Sequence, residues 1–402
     1  MAADMLHPFD PGPRPRIPED LLGEIPESLF DDRIYAACEL AERYATDLAL
    51  AIARRLGLVE PLAAGGTAAT LAAGRGFDPA FEPAIEALLE RLAAAGELVR
   101  ADGASGPVYR RDGPAREPEL AALRAIGMAI DPRIVATLDL LDAAAAAWPA
   151  VASGRTTGEK ELFSAGSIAL WLAYFSNDNP VYALNNLLTA VVAANRLPDR
   201  EGLSVLEVGA GAGGFTATLL DELARRGRLG QVARYKPTEP SPFFRRRGER
   251  ELKARFPQVP LTFRALDVDQ PFVAQGLSAE LRDLVVGVNV LHVARDLGAA
   301  LARIRETLAP GGWLVAGECL RLFPRQPVPA DLVFQLFRSF TDVGTDPVLR
   351  PHHGFLEPSA WRTALEAAGF VEVAVVPDLE RIRAIYPRFF AGVVVGRRPV
   401  VG

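Results

Sequence analysis

A glycine-rich segment in the second half of the chain has the spacing of a nucleotide-binding loop. Gly209, Gly211 and Gly214 follow a short apolar run and precede an amphipathic one, in the pattern G-x-G-x-x-G. Glycine lets the backbone turn tightly and approach a ligand, and the first turn of the following helix offers free N–H groups. Because several cofactors use this pattern, it predicts a nucleotide-type cofactor without identifying which one.

Three acidic residues indicate the cofactor. Glu207 lies two residues before Gly209, where a carboxylate can meet the ammonium and sulfonium end of S-adenosylmethionine. Glu239 can accept hydrogen bonds from both ribose hydroxyls, and Asp267 can accept one from the adenine amine. Since each acid is predicted at a strand end, the three should line one crevice at the carboxyl edge of the sheet. We therefore expect S-adenosylmethionine rather than a nicotinamide or a flavin. The predicted cofactor-binding residues are Glu207, Gly209, Gly211, Gly213, Glu239, Asp267 and Asn289.

His292 and Glu318 are the predicted catalytic residues. His292 follows the fourth predicted strand of this half and Glu318 ends the fifth, and these strands should be neighbours beside the first. An imidazole with an ordinary pKa of about 6.5 is a suitable base at neutral pH, and a carboxylate on its second nitrogen fixes the tautomer. We predict that His292 accepts a proton and that Glu318 orients it, with a purely structural His292 as the alternative.

Two further histidines, His352 and His353, lie in a loop before the last predicted helix. Together with His292 they raise the possibility of a three-histidine metal site, because histidine suits zinc and iron. Adjacent loop residues rarely face one ion, so we expect no metal. We assign the pair instead to a loop that faces the substrate or the solvent.

The elements that must position these residues alternate from Leu203 onward. Short uncharged apolar runs are separated by amphipathic helical patterns, which predicts a buried and mostly parallel sheet. The last two runs lie close together and suggest an antiparallel edge pair. The fold class predicted for residues 196–402 is therefore a Rossmann-like, seven-stranded α/β domain. The predicted strands are 204–208, the region of 235, 261–266, 284–291, 313–316, 371–376 and 389–395.

The first half of the chain reads as mainly helical. Residues 1–30 are predicted to be an extended arm, and 31–115 show three helices and a hairpin, the order of a winged helix. A broad apolar stripe on the 31–56 helix favours a homodimer. Residues 116–195 are predicted to form a helical linker and a lid over the active site.

A winged helix could also read DNA, as in a regulator that binds S-adenosylmethionine. Residues 78–100, around its third helix, carry five acidic residues and two basic ones. Affinity for DNA depends on basic contacts with phosphate, so we expect no nucleic-acid partner.

Composition bears on whether the chain is a disulfide-rich, secreted or membrane protein. Half of the 402 residues are hydrophobic, the net charge is −6, and Cys38 and Cys319 are the only cysteines. Two cysteines make a disulfide scaffold improbable. The N-terminus has no apolar run typical of a signal peptide, and no uncharged apolar stretch of 18 residues follows, so we expect a cytoplasmic protein without a membrane partner.

Residues from about 160 to 400 resemble a class I S-adenosylmethionine-dependent methyltransferase, and more narrowly the C-methyltransferase domains of polyketide synthases. Residues 31–115 resemble the N-terminal dimerisation domain of small-molecule O-methyltransferases. The C-methyltransferase domains usually have Gly-Trp-Trp after their substrate-facing helix, whereas here the predicted helix 331–336 runs into Phe337-Arg-Ser-Phe340. The segments that carry the main resemblance are 206–214, 235–244, 266–269, 289–292 and 308–318.

The resemblance implies a reaction. In the C-methyltransferases the His–Glu pair deprotonates the carbon alpha to a thioester carbonyl, which implies C-methylation of a small-molecule, carrier-bound or peptide natural-product intermediate. O- or N-methylation by the same base is the alternative. Tyr182 and Asn185 match the lid segment, although capping of a helix by Asn179 ahead of Pro180 explains part of that segment equally well. The residues expected to contact the acceptor are Tyr182, Asn185, Phe334, His352 and His353.

Overall fold

The computed structural model describes residues 17–277 and 281–400. The helices of the first half are α1 (Glu19–Leu22), α2 (Asp32–Arg55), α3 (Pro61–Ala64), α4 (Ala68–Gly74), α5 (Glu82–Ala94), α6 (Leu120–Ile130), α7 (Val135–Ala152), α8 (Gly158–Leu162), α9 (Ile168–Tyr174) and α10 (Pro180–Arg196). Those of the second half are α11 (Gly214–Arg225), α12 (Pro242–Arg255), α13 (Leu297–Thr307), α14 (Asp331–Phe334), α15 (Arg338–Thr341), α16 (Pro358–Ala367) and α17 (Leu379–Ile382). The strands are β1 (Val99–Gly103), β2 (Gly106–Arg110), β3 (Leu203–Val208), β4 (Val232–Thr238), β5 (Arg282–Val288), β6 (Leu308–Cys319), β7 (Val371–Val376) and β8 (Ala391–Arg397).

Strands β3 to β8 form one sheet in the order β4-β3-β5-β6-β8-β7. The first four strands in this order, β4, β3, β5 and β6, run parallel to one another. Strand β8 is antiparallel to both β6 and β7, which confirms the predicted antiparallel pair of β7 and β8. The chain passes from β3 to β4 on one side and then to β5 on the other. This reversal of strand order opens a crevice at the carboxyl ends of β3 and β5, where ligands of such sheets bind.

The sheet has six strands within the described residues, and the predicted seventh is wrong. The segment 261–266 runs beside β4 but makes only isolated bridges, from Leu261 to Tyr235 and from Arg264 to Thr238. Pro237 lies between these two β4 positions and has no N–H to donate, so the ladder is interrupted there.

Residues 31–115 contain three main helices, α2, α4 and α5, followed by the β1–β2 hairpin, which is the predicted order. Asp31 caps α2, since its side chain accepts hydrogen bonds from the backbone N–H groups of Arg33 and Ile34. The apolar stripe of α2 packs on α6 and α7 of the same chain and is buried. The face from which we expected a dimer is therefore covered by the chain itself, and the homodimer stays a prediction.

The basic residue of α5 points into the protein. Arg91 is buried, pairs with Glu42 at 2.5 Å and donates a second hydrogen bond to the main-chain oxygen of Val328. It is therefore not available to a phosphate. The acidic surface that remains on α5 is unfavourable for contact with DNA.

The predicted extended arm is partly helical. Residues 1–16 lie outside the described residues, but 17–30 form α1 and a 3₁₀ turn at Glu27–Leu29. Ile17, Leu21 and Leu22 are buried in the same hydrophobic cluster as the sheet. Burial of these side chains favours a compact segment over an extended one.

One helix in the described ranges, Pro132–Ala152, is long and apolar enough to cross a membrane, by length and composition alone. Of the residues in its most apolar stretch, 56% are buried inside the structure. Trp148 in this helix donates its indole N–H to the main-chain oxygen of Leu332 at 2.8 Å. These contacts are those of a core helix that joins the two halves of the chain; the cytoplasmic location stays a prediction.

Gly158, at the start of α8, fits directly against the carbonyl group of Leu336 in the second half of the chain. A Cβ at this position would overlap that backbone carbonyl, so we expect Gly158→Ala to lower the free energy of unfolding by about 1–3 kcal/mol. Gly74→Ala is the control, because a Cβ there meets nothing within 4 Å and should be neutral or slightly stabilising. Denaturant unfolding of both variants tests this expectation, and equal stability of the two would contradict it.

Candidate active site

A cavity of about 360 Å³ lies at the carboxyl ends of the parallel strands, between the two halves of the chain. The second half contributes the glycine loop, Glu239, Asn289 and His292 to its walls. The first half contributes residues of α2, α7 and α10, among them Leu141. The two halves thus build the cavity together.

The glycine loop has the conformation that its sequence predicts. Gly209, Gly211 and Gly213 have φ angles of 69°, 54° and 91°, which residues other than glycine rarely adopt. A Cβ on Gly209 would lie 2.5 Å from Val290, whereas a Cβ on Gly211 would meet nothing within 4 Å. Gly211 lines the cavity, so open space lies in front of it. Gly213 caps α11 and packs on Leu252 instead of lining the cavity.

Glu239 is held against this loop and lines the cavity. Its Oε2 accepts a hydrogen bond from the N–H of Gly211 at 3.0 Å, and its Oε1 accepts one from the N–H of Ser241 at 2.9 Å. Only 9% of the residue is exposed, and burial raises the pKa of the carboxyl. Each carboxylate oxygen keeps capacity for a second donor, which fits the two hydroxyls of a ribose.

The other two predicted acids are not among the residues that line the cavity. Glu207 is buried, and its Oε2 accepts hydrogen bonds from Thr216 at 2.6 Å and Tyr235 at 2.8 Å. Burial raises the pKa of Glu207 to about 7. Asp267 is exposed, and its Oδ1 accepts from the N–H of Asp269. Contacts of these two acids with the cofactor stay predictions.

Asn289 joins the ends of β5 and β6 at the cavity wall. Its φ angle is 52°, a left-handed conformation that asparagine tolerates better than most residues. Its N–H donates to the Gly317 oxygen at 2.7 Å, and its Oδ1 accepts from the N–H of Cys319 at 2.8 Å. These two bonds fix the backbone just before His292.

His292 and Glu318 meet in a buried contact. Nδ1 of His292 lies 2.6 Å from Oε2 of Glu318, and Oε1 of Glu318 accepts the N–H of Leu291 at 2.9 Å. In the tautomer that donates Nδ1–H to this carboxylate, Nε2 is the nitrogen with a free lone pair. Nε2 has no hydrogen-bond partner within residues 17–277 and 281–400, and His292 lines the cavity. The pair can therefore accept a proton from a group bound there.

The predicted acceptor residues divide into two groups. Tyr182, Asn185 and Phe334 line the cavity, and Oδ1 of the buried Asn185 has no partner among the described residues. His352 and His353 do not line it, and their contact with the acceptor stays a prediction.

Each histidine contacts a side chain that does not line the cavity. Nε2 of His352 lies 3.0 Å from the carboxylate of Glu357, and Nε2 of His353 lies 3.2 Å from Oε1 of Gln335. Burial lowers the pKa of His353 to about 4. The turn at Gly354, with a φ angle of 77°, brings Phe355 rather than the histidines to the cavity. No group of three or more His, Cys, Asp or Glu in the described part of the chain could hold a metal ion.

A series of aromatic rings runs from His292 to the protein surface along the cavity wall. Phe340 lies 5.9 Å from His292 between ring centroids, Phe334 5.6 Å from Phe340, Phe337 6.1 Å from Phe334, and Phe163 5.2 Å from Phe337. Phe163 is 44% exposed and therefore stands at the mouth. Sequence reasoning identified only Phe334 of this wall, because the others lie in segments without a recognisable motif.

Comparison with known proteins agrees with this fold. Residues 206–314 match the family described as a methyltransferase domain. The 3-methylorcinaldehyde synthase of Sarocladium schorii is 28% identical over 312 residues, which cover 73% of this chain and 11% of the synthase. The solved structure of the DszA carbon methyltransferase is 27% identical with a TM-score of 0.71, covering 91% of each chain. That of the CurJ carbon methyltransferase, 24% identical with a TM-score of 0.73, covers 90% of this chain and 91% of that one, and shares the fold.

The fold, the glycine loop and the family match together define a class I methyltransferase, an enzyme that uses S-adenosylmethionine. The resemblance noted in the sequence is thereby confirmed at the level of this class. The chain spans 11% of the length of the synthase that it matches, so that match concerns a small part of a much larger protein.

Glu239 offers a direct test of the cofactor site. Glu239→Ala removes both oxygens that a ribose would meet, and a hydrogen bond to a charged group contributes about 1.5–3 kcal/mol. We expect the Kd for S-adenosylhomocysteine, measured by calorimetric titration, to rise by at least about tenfold. Glu249→Ala, which removes a carboxylate of α12 that pairs with Lys253, is the control. Unchanged affinity in a folded Glu239→Ala protein would refute this contact.

Proposed function

We propose that this methyltransferase transfers the methyl group to a carbon atom alpha to the carbonyl of an acyl thioester, with His292 as the general base. The observation that carries the proposal is the buried 2.6 Å contact between His292 and Glu318, which leaves Nε2 of His292 available in the cavity. A neutral imidazole at this position is suited to remove a proton from a weakly acidic group.

The glycine loop and Glu239 are the residues that would hold the cofactor. When it is bound, S-adenosylmethionine supplies an electrophilic methyl group on a sulfonium, which departs as a neutral thioether. The open space at Gly211 and the two unused acceptor positions of Glu239 fit the backbone approach and the ribose that this requires.

The chain's own residues carry the proton. The C–H bond alpha to the carbonyl breaks, its proton goes to Nε2 of His292, and the electron pair becomes an enolate that forms the new C–C bond. Glu318 holds Nδ1–H throughout and stabilises the imidazolium that results. Since Oε1 of Glu318 also accepts the N–H of Leu291, the carboxylate is fixed before the reaction begins.

The residues around His292 favour an acceptor that is a carbon acid with an apolar acyl chain. The aromatic wall between His292 and Phe163 offers dispersion and ring contacts but few hydrogen bonds. Two of the similar solved structures are carbon methyltransferases, which favours carbon over oxygen or nitrogen. The synthases among the relatives favour an acceptor bound to a carrier. O- or N-methylation by the same base is the alternative outcome of the tests below.

Removal of the base should strongly lower turnover without affecting cofactor binding. A general base contributes about 10²–10⁴ in rate, so we expect His292→Ala to lower kcat by that factor with a pantetheine acyl thioester as acceptor. Glu318→Gln should lower kcat less, because an amide can orient the ring but cannot stabilise its charged form. Methyl transfer measured with labelled cofactor provides the rates, and titration with S-adenosylhomocysteine provides the control. A loss below about tenfold in His292→Ala would contradict the carbon-acid mechanism and favour O-methylation.

The mouth of the cavity can be tested separately from the chemistry. Phe163→Ala should raise KM for the acyl thioester by about three- to tenfold, because an apolar contact at the entrance is lost, while kcat stays within about twofold. Phe323→Ala is the matched control, since Phe323 is 47% exposed but does not line the cavity. Equal KM values for the two variants would show that the acceptor enters elsewhere.

A further inference from the structure

A buried arginine contacts the segment that carries the base. Arg350 is only 2% exposed, and its guanidinium donates one hydrogen bond to the main-chain oxygen of His292 and another to that of Ala294. These two carbonyls belong to the short 3₁₀ turn Leu291–Val293 and the residue that follows it. One planar side chain thus holds the middle of the turn and the residue that ends it.

The same segment also holds the ring. Five residues after Arg350, the ring of Phe355 lies 4.6 Å from the His292 ring between centroids. The main chain of His292 is therefore fixed by Arg350, its ring by Phe355, and its Nδ1 by Glu318. These three contacts come from the segment 350–355 and from β6, and together they fix the direction in which Nε2 points.

The segment 350–355 is itself anchored. Asp346 and Arg350 exchange main-chain hydrogen bonds of 2.8 and 2.9 Å, and Oδ1 of Asp346 accepts the N–H groups of Val348 and Leu349. On the other side, His352 contacts Glu357 and His353 contacts Gln335. These contacts give the two adjacent histidines a role as anchors of this loop.

We propose that Arg350 is a positioning residue for the general base and holds Nε2 of His292 in line with the proton that it removes. The inference rests on the proposed function, in which His292 is that base. A guanidinium can donate to two carbonyls at once, whereas the single ammonium of lysine on a flexible stem cannot reproduce this fork. A displacement of about 1 Å of a catalytic group can cost about 10²-fold in rate.

The charge of Arg350 is retained in this site. Burial lowers its pKa to about 10, so the group is protonated at neutral pH. The negative charges of Asp269, Glu318 and Asp296 oppose this lowering of the pKa. Arg350→Lys keeps a cation among these acids and removes only the double hydrogen bond, which makes it the informative substitution.

The test compares Arg350→Lys and Arg350→Met with Arg228→Lys. Arg228 also donates to main-chain carbonyls, those of Ala194, Leu197 and Pro198, but none of these three residues lines the cavity. We expect Arg350→Lys to lower kcat for a pantetheine acyl thioester by about 10- to 100-fold. The Kd for S-adenosylhomocysteine should stay within about twofold, and Arg228→Lys should change neither quantity. Unchanged kcat in Arg350→Lys would overturn the proposal.

Histidine ¹⁵N NMR provides a readout that needs no turnover. The chain has four histidines, so the His292 signals can be assigned by their loss in His292→Ala. In Arg350→Lys, and in Arg350→Met if it folds, we expect the Nδ1–H signal of His292 to shift or to exchange faster with solvent. An unchanged His292 signal would overturn the positioning role even if kcat fell. Full activity of His292→Ala would instead refute the proposed function, whatever the spectra of the Arg350 variants show.

Discussion

The site depends on the register of β5 and β6. These strands run parallel with Val288 opposite Gly317, which places Glu318 one residue beyond the last pair and His292 just past the end of β5. The bond from Oδ1 of Asn289 to the N–H of Cys319 closes the two strand ends. A shift of one residue would turn Glu318 to the other face of the sheet, so the His292–Glu318 contact requires this register.

The cavity depends equally on the way in which the helical half is joined to the sheet. Trp148 bonds to the Leu332 carbonyl, Arg91 to that of Val328, and Gly158 packs on Leu336. All three contacts hold the segment 328–337, which carries Phe334 and Phe337 of the aromatic wall. The N-terminal half therefore fixes the shape of the space in front of His292, although it contributes no titratable group to the contact with Glu318.

Short-range patterns in the sequence predicted the parallel sheet, the glycine loop, the position of Glu239 and the proximity of His292 and Glu318. Each of these features can be read from a predicted strand, the turn that follows it and the residues next to that turn. The role of Arg350 could not be predicted in this way, because its partner His292 lies 58 positions away. The orientation of His352 and His353 depends on one turn at Gly354. The apolar stripe of α2 looks the same in sequence whether the chain itself or a second copy covers it. The prediction of a seventh strand was wrong because a single proline on β4 has no N–H to donate to the ladder.

In the proposed reaction His292 removes a proton from carbon, and proton exchange tests this step without methyl transfer. A pantetheine acyl thioester is incubated in D₂O with the protein and S-adenosylhomocysteine, and deuterium at the carbon alpha to the carbonyl is followed by NMR. We expect the wild-type protein to speed incorporation of deuterium at this carbon and His292→Ala to abolish the acceleration. Methyl transfer to the same thioester by the wild-type protein, with no exchange at the alpha carbon above the rate without protein, would contradict the proposed step.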